Sequence, residues 1–297
     1  MKKIIVLFVC FLGVFVLLNL PKKPIANEPI PKSSPNTPPQ PTPPKPQSSK
    51  PGDQTVWFEF LPLKKLSDPS WGAFLTDIEN HLPEKMGTTY RDTNKITWSH
   101  ETTHGIQSHL NNTYRPQGDT ARSYGFYVGN NKAVMIPQPK IRISNVAEMV
   151  PQSMRKGRYQ LYLVSQAGAW NADPLYLFDE WNAYVNGAAT GLEVGENGKT
   201  DFMFACIEFN VYAIYTCMAT KSLDTTYDSK QLFEFAAWNS KRCMEIYQTG
   251  YKKEIFNWDN HKYLNELQTG NDAKAMRQFV IATWGAAWAE EVFGFKE

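Results

Sequence analysis

Two of the five histidines in this 297-residue chain stand four residues apart, with a glutamate directly after the first: His100, Glu101 and His104 within TWSHETTHGI. In an α-helix, residues i and i+4 lie on the same face, so both imidazoles can bind one ion. Glu101 lies about 100° around the helix and can reach a water on that ion without binding the ion itself. The spacing therefore predicts a Zn²⁺ site with an activated water that can hydrolyse a bond.

The residues around this pair resemble the longer signature of the zincin metallopeptidases. In that signature Thr or Val stands three residues before the first His, uncharged residues flank both His, and an apolar residue ends the segment. Thr97 and Ile106 hold the first and last of these positions, and those between conform as well. The resemblance implies a helix that carries His100 and His104 as zinc ligands and Glu101 as the general base. The competing interpretation is a solvent-facing helix with incidental histidines.

A third ligand must come from elsewhere in the chain. The metzincin clan of zincins uses a His six residues after the second His, and Leu110 holds that position here. The gluzincin clan uses a Glu on a later helix, and LYLFDEWNAYVNGA resembles that segment through Glu180 and the small residue Ala183. The helical neighbours of Glu180 are apolar or aromatic, and a carboxylate on such a face should be paired or bound to a cation. Glu180 is the predicted third ligand.

Other assignments of the third ligand stay open. Glu180 could instead pair with an Arg or a buried backbone amide. Glu208, in the apolar segment DFMFACIEFNVYAIYTCMAT, is a rival ligand, or it could accept the N–H of a ligand imidazole. Asp179 as ligand would make the site similar to the aspzincins, whose surrounding motif is absent. Asp179 also shares its helix face with two asparagines, which predicts a wetter environment than that of Glu180.

Peptide hydrolysis benefits from a hydrogen-bond donor to the developing oxyanion, which in zincins is usually a Tyr or His. Tyr162 and Tyr176 stand upstream of Glu180, and Tyr114 follows the active helix. We predict Tyr162 as this catalytic donor. A hairpin downstream, residues 124–136, could present an edge strand to which an extended peptide adds, or it could be an ordinary covered hairpin.

Periodicity and cap residues predict the elements that position these side chains. The fold class is α+β and mostly helical: a zincin-like catalytic domain with a small sheet or hairpin and a helical C-terminal part. The predicted elements are a strand in 55–63, helices over 69–81 and 94–111, a hairpin of 124–128 and 133–136, short helices near 145–154 and 158–166, a helix starting at 173–174, and C-terminal helices over 201–220, 229–249, near 263 and over 273–293.

The first 22 residues predict a membrane anchor. Lysines flank an uncharged apolar run, residues 4–20, which as a helix would span about 25 Å, close to the hydrocarbon thickness of a bilayer. A secretion signal has the same pattern, but no small-x-small cleavage site follows at the expected place. A domain that follows a single N-terminal signal most simply lies outside the cytoplasm, so we expect an extracytoplasmic domain, secreted if the segment is cleaved.

Residues 23–54 predict a disordered proline-rich tether, which leaves 55–297 as the zinc metallopeptidase-like domain. Residues 21–54 hold 12 of the 20 prolines and almost nothing apolar, so they cannot bury enough surface to fold. Residues after position 55 carry 24 basic and 27 acidic side chains. The domain therefore lacks the basic surface that nucleic-acid binding needs, and the expected partners are a peptide or protein substrate and the membrane.

Two other functions fit the same residues. A non-catalytic surface binding or assembly module could hold a structural zinc, although closed structural sites have four protein ligands. A zinc amidase that acts on cell-wall peptides would use the same chemistry on another substrate. The cysteines do not choose between these functions, since Cys243 could pair with either Cys206 or Cys217 or stay free.

Overall fold

The computed structural model of the chain describes residues 50–114, 122–196, 200–256 and 261–296. The predicted anchor and residues 23–49 of the predicted tether lie outside these ranges. Residues 51–54, the end of the predicted tether, form a turn, and the Gly52 N–H donates to Glu234 Oε2 at 2.7 Å. These few residues therefore belong to the folded part of the chain.

The described residues form a mostly helical α+β fold with one small sheet, as predicted. The strands and helices, in chain order, are β1 (Phe58–Glu59), α1 (Gly72–His81), α2 (Lys95–Thr113), β2 (Tyr124–Tyr127), β3 (Lys132–Ile136), α3 (Ile143–Met149), α4 (Ala167–Trp170), α5 (Tyr176–Val194), α6 (Thr200–Leu223), α7 (Lys230–Lys252), α8 (His261–Thr269), α9 (Lys274–Trp284) and α10 (Ala286–Phe293). A π-helical segment, Tyr159–Ser165, precedes α4.

The sheet is antiparallel, with strand order β1-β3-β2. Its hairpin is the predicted one, because the turn residues Gly129, Asn130 and Asn131 all have positive φ, a conformation that Gly and Asn tolerate. β1 is much shorter than the predicted strand, since it pairs with β3 over two residues only.

The free edge of β2 is covered by asparagine side chains from α2 and α5. Asn111 Oδ1 accepts the Gly125 N–H at 2.6 Å, and the Tyr127 carbonyl accepts the Nδ2 groups of Asn182 and Asn186 at 2.8 and 3.0 Å. An extended peptide would have to displace these bonds in order to pair with β2. The structure therefore favours the covered hairpin over a strand-addition surface.

The N-terminus of α2 is fixed by two caps. Asn94 Oδ1 accepts the Thr97 N–H at 3.0 Å, which is a normal N-cap bond. Glu196, just after α5, accepts the Lys95 N–H at 3.0 Å and the Asn94 Nδ2 group at 2.6 Å. A carboxylate is favoured at the positive end of a helix, so the start of α2 is tied to the end of α5.

Helices α2 and α5 approach each other closely. A Cβ atom on Gly187 would stand 2.9 Å from the Ile96 carbonyl oxygen, so a larger residue would push the two backbones apart. The face of α2 that packs here is partly polar, and Ser99, Thr103 and Gln107 are all fully buried. The contact brings the histidines of α2 next to the acids at the start of α5.

Helices α6 and α7 complete the core. The segment Met203–Leu223 is long and apolar enough to cross a membrane, but 89% of its most apolar window is buried inside the domain, as in a core helix. The three cysteines that the structure describes, Cys206, Cys217 and Cys243, are buried and free, so Cys243 is in no disulfide. The prediction of one helix over 273–293 is wrong, because Gly285, with φ of 90°, ends α9 and starts α10.

Candidate metal centre

Three side chains from two helices bring ligand atoms together. Nε2 of His100 and Nε2 of His104 lie 3.1 Å apart, and Glu180 Oε2 lies 3.8 and 3.6 Å from them. Ligands about 2.0–2.1 Å from an ion at tetrahedral angles stand about 3.3 Å from one another. These three atoms therefore have the separation that a small divalent cation requires, and the group could hold a metal ion.

Glu180 offers one of its carboxylate oxygens to this position. Its Oε1 accepts the Tyr176 hydroxyl at 2.7 Å. Its Oε2 is buried and accepts no hydrogen bond from any residue that the structure describes. A buried acceptor without a hydrogen bond costs about 1–3 kcal/mol, so a cation bound at Oε2 would supply the partner that this oxygen lacks.

Asp179 fixes the orientation of His104 from behind. Its Oδ2 accepts the His104 Nδ1–H at 2.5 Å, and its Oδ1 accepts Gln107 Nε2 at 2.7 Å. Gln107 Oε1 in turn accepts Asn182 Nδ2 at 2.6 Å. Because the proton on Nδ1 points to Asp179, His104 presents Nε2 to the ion position. Asp179 therefore bonds the far side of the His104 imidazole and is not itself part of the candidate ligand cluster.

Without a metal, the charges at the site are those of a protonated imidazole between acids. Burial opposes a charge on His104, but Asp179 and Glu180 outweigh it and hold the pKa of His104 well above its usual value. Burial and the charge on His104 lower the pKa of His100 to about 3. Burial would raise the pKa of Glu180, yet the two imidazoles, chiefly His104, lower it to about 2. A positive charge thus occupies the position where a metal cation would lie.

Glu101 is solvent-exposed and directly follows His100 on α2. Its pKa is raised, first by partial burial and then by the negative charges of Glu180 and Asp92, while His104 opposes the rise. A carboxylate with a raised pKa holds a proton more readily than an ordinary glutamate does. A shift in this direction favours a role as general base and acid.

Glu208 lies outside the cluster. It is fully buried, and its Oε2 accepts the backbone N–H of Arg158 at 3.3 Å. Burial raises its pKa to about 7, and Arg158 opposes this rise. Glu208 is therefore neither a member of the ligand cluster nor bonded to one of its imidazoles in the structure.

The tyrosines named from the sequence have other partners. Tyr162 is buried, and its hydroxyl lies 3.3 Å from that of Tyr184, whose ring packs on His100 at 4.4 Å between centroids. Tyr176 donates to Glu180, and Tyr114 stacks on Phe58 at the far end of α2. A catalytic role for Tyr162 stays a prediction, and its burial argues against it.

Sequence reasoning missed the supporting role of three residues that it had seen only as a possible ligand and a wet helix face. The polar residues Asp179, Asn182 and Asn186 recur every three or four positions in the otherwise apolar helix α5, and all are buried. This stripe was the available signal, because polar residues at helical spacing between apolar ones can form a buried network. The expectation of a wetter face there is wrong.

Comparison of the chain with models of known protein families, with curated proteins and with solved structures finds no match. The resemblance to zincins therefore rests on the residues of the motif and on the geometry of the site. These comparisons assign no family to the chain.

Proposed function

We propose that this protein is a membrane-tethered zinc metallopeptidase, similar to the gluzincins, that hydrolyses peptide bonds outside the cytoplasm. One observation carries the proposal: Nε2 of His100, Nε2 of His104 and Oε2 of Glu180 converge to within 3.8 Å of one another. Two imidazoles and one carboxylate are the protein ligands of one class of catalytic zinc site. Within the described residues no fourth protein ligand joins them, which suits a site that keeps a position for water or substrate.

When bound, zinc would supply a water of lowered pKa and a positive charge near the scissile carbonyl oxygen. Glu101 would be the group that accepts a proton from the attacking water as the water oxygen bonds to the carbonyl carbon. Glu101 would then give this proton to the amide nitrogen, so that the C–N bond breaks and a neutral amine leaves. The raised pKa of Glu101 helps it to hold the proton between the two steps.

Asp179 supports this chemistry through His104. Its negative charge stabilises the tautomer of His104 with the proton on Nδ1, and Gln107 keeps the carboxylate from rotating. His104 thus holds its ligand nitrogen in place without a change of rotamer. The site is preorganised by a hydrogen-bond chain that begins at the carbonyl of Tyr127 in β2.

The exposed position of Glu101 favours catalysis over a purely structural metal site. A structural site has no use for a carboxylate of raised pKa beside an open ligand position. A zinc amidase acting on cell-wall peptides would share all of these groups. Cleavage of casein-like proteins compared with purified cell wall separates the peptidase from the amidase.

The decisive variant is Glu101→Gln in the full chain. We expect it to bind as much zinc as the unchanged protein and to lose peptide cleavage, by at least about 10²-fold, because the amide cannot accept the proton. Glu148→Gln, an exposed glutamate on α3, is the matched control and should leave cleavage unchanged. Full activity of Glu101→Gln in an assay where the unchanged protein cleaves would refute the peptidase.

The membrane part of the proposal has its own test. Residues 1–22 should keep the full chain in the membrane fraction through a high-salt wash, because an apolar run of this length inserts into the bilayer. A chain that lacks residues 1–22 should be recovered in the soluble fraction. Recovery of both forms in the soluble fraction would contradict the anchor and leave the peptidase proposal standing.

A further inference from the structure

Tyr90 lies in the loop before α2, and its ring packs against that helix at Gly105. A Cβ atom on Gly105 would stand 2.6 Å from Tyr90 Cε2 and 3.2 Å from Tyr90 Cδ2. The Cδ2–Cε2 edge of the ring therefore faces the helix, and Cε2, the atom next to the hydroxyl-bearing carbon, is nearer than Cδ2. The ring is half-buried and packs on a small core cluster that includes Leu82, which fixes its position.

Gly105 places Tyr90 on the working side of α2. It follows His104 directly and stands four residues after Glu101, so it shares a helix face with Glu101. The charges of both groups act on Tyr90: burial raises its pKa, His104 lowers it, and Glu101 raises it. Tyr90 thus packs on the residue that follows His104, one helical turn after Glu101.

The Tyr90 hydroxyl is available to a substrate. Among the residues that the structure describes, no hydrogen bond involves it, whereas the hydroxyl of Tyr176 donates to Glu180 and that of Tyr162 contacts Tyr184. A half-buried phenol whose hydroxyl bonds to no described residue can donate a hydrogen bond to a ligand. Burial also keeps the phenol protonated, so the Tyr90 O–H remains able to donate a hydrogen bond.

We propose that Tyr90 donates the hydrogen bond that stabilises the oxyanion during peptide hydrolysis, an inference that rests on the proposed peptidase function. As the water oxygen bonds to the carbonyl carbon, the π electrons of the carbonyl move onto its oxygen. A fixed donor at that oxygen is worth more in the transition state than in the substrate, because the negative charge develops there. Tyr90, rather than Tyr162, then has the role predicted for a tyrosine.

The test compares Tyr90→Phe with Tyr114→Phe in the zinc-loaded full chain. Tyr90→Phe should lower kcat by about 10²-fold, with KM and zinc content unchanged, because it removes one oxyanion donor and little volume. Tyr114→Phe, in which an exposed tyrosine changes in the same way, should leave kcat unchanged. A kcat for Tyr90→Phe equal to that of the Tyr114→Phe control would overturn the assignment, while an inactive Glu101→Gln would still uphold the peptidase.

A binding measurement decides the role of Tyr90 even if no substrate is cleaved. Acetohydroxamate is a small zinc-binding anion whose oxygens can accept a hydrogen bond from Tyr90. Calorimetric titration of the zinc-loaded full chain should show about tenfold weaker binding for Tyr90→Phe, and no change for Tyr114→Phe. Equal affinities for all three proteins would refute the placement of Tyr90, and a chain that binds no zinc would overturn both proposals.

Discussion

Replacing Asp179 by Asn should weaken zinc binding although Asp179 is not a ligand. The carboxylate accepts two donors, the His104 Nδ1–H at 2.5 Å and Gln107 Nε2 at 2.7 Å, each on its own oxygen. An amide of the same shape has only one acceptor oxygen and presents an NH₂ group to the other donor. Either His104 or Gln107 therefore loses its bond, and the negative charge behind the imidazole is lost in both cases.

The expected loss is about 10- to 100-fold in zinc affinity, which is the usual range for a partner of a ligand histidine. In free energy this is about 1.4 to 2.8 kcal/mol. The bond to Asp179 is charge-assisted and mostly buried, since Asp179 is 8% exposed, so solvent screening reduces it little. We therefore expect the effect in the upper half of this range.

The assay is competition with a chromophoric chelator over a series of pH values. Asp179 also raises the pKa of His104, so it favours the proton that zinc must displace. The two effects of the substitution oppose each other below the His104 pKa. The affinities are therefore compared on the high-pH plateau, where His104 holds no competing proton and only the loss of the hydrogen bond and of the negative charge behind the imidazole is measured.

Asp77→Asn is the matched control. Asp77 also lies beside a buried histidine, His81, and accepts the Tyr127 hydroxyl at 2.6 Å, but it is remote from the cluster. It should leave the zinc affinity unchanged. If Asp179→Asn matches this control on the plateau, the hydrogen bond to His104 does not support the metal site, and the preorganised network described above is refuted.

Three further predictions concern stability and protons. Burial holds the pKa of Glu208 at about 7 in the folded protein, against 4.5 for the free side chain, so the folded state binds more protons than the unfolded state. The free energy of unfolding should therefore fall by about 3 kcal/mol as the pH rises from about 5 to 8, and Glu208→Gln should abolish this decline in urea unfolding. Gly105→Ala should lower the melting temperature, because the new Cβ would stand 2.6 Å from Tyr90 Cε2 and 2.7 Å from Leu82 Cδ1. Such overpacking costs about 1–3 kcal/mol, and an unchanged melting temperature would contradict the packing. Zinc binding at neutral pH should release about one proton from His104, so zinc affinity should rise about tenfold per pH unit up to the raised pKa of His104. Calorimetry in buffers of different ionisation enthalpy measures the released proton, and no release would contradict the charge assigned to His104.

Local patterns predicted the elements that carry the site. The helix with His100 and His104 follows from its Asn cap and its spacing, and the hairpin follows from three residues that tolerate positive φ. Glu180 was identified because its neighbours one turn away are apolar, and it is indeed buried beside the imidazoles. These features depend on residues within one element, so the sequence is enough to find them.

The supporting network could not be predicted, because its partners are distant in the sequence. Asn182 and Gln107 are 75 residues apart, and Asn182 is also bonded to the carbonyl of Tyr127. A polar helix face whose side chains have hydrogen-bond partners in the fold can be buried, whereas the same face without such partners would be exposed to solvent. The break at Gly285 was missed for another reason: a glycine inside an apolar helical pattern can be tolerated, and only its positive φ shows that the helix ends.

Metal content of the full chain tests the central claim most directly. The purified protein, Glu180→Ala and Glu208→Ala are loaded with zinc, dialysed and measured by mass spectrometry, after circular dichroism has shown that each is folded. We predict one zinc per chain for the unchanged protein and for Glu208→Ala, and loss of zinc in Glu180→Ala. Retention of zinc by folded Glu180→Ala, or no zinc in the unchanged protein, would contradict a site built by His100, His104 and Glu180.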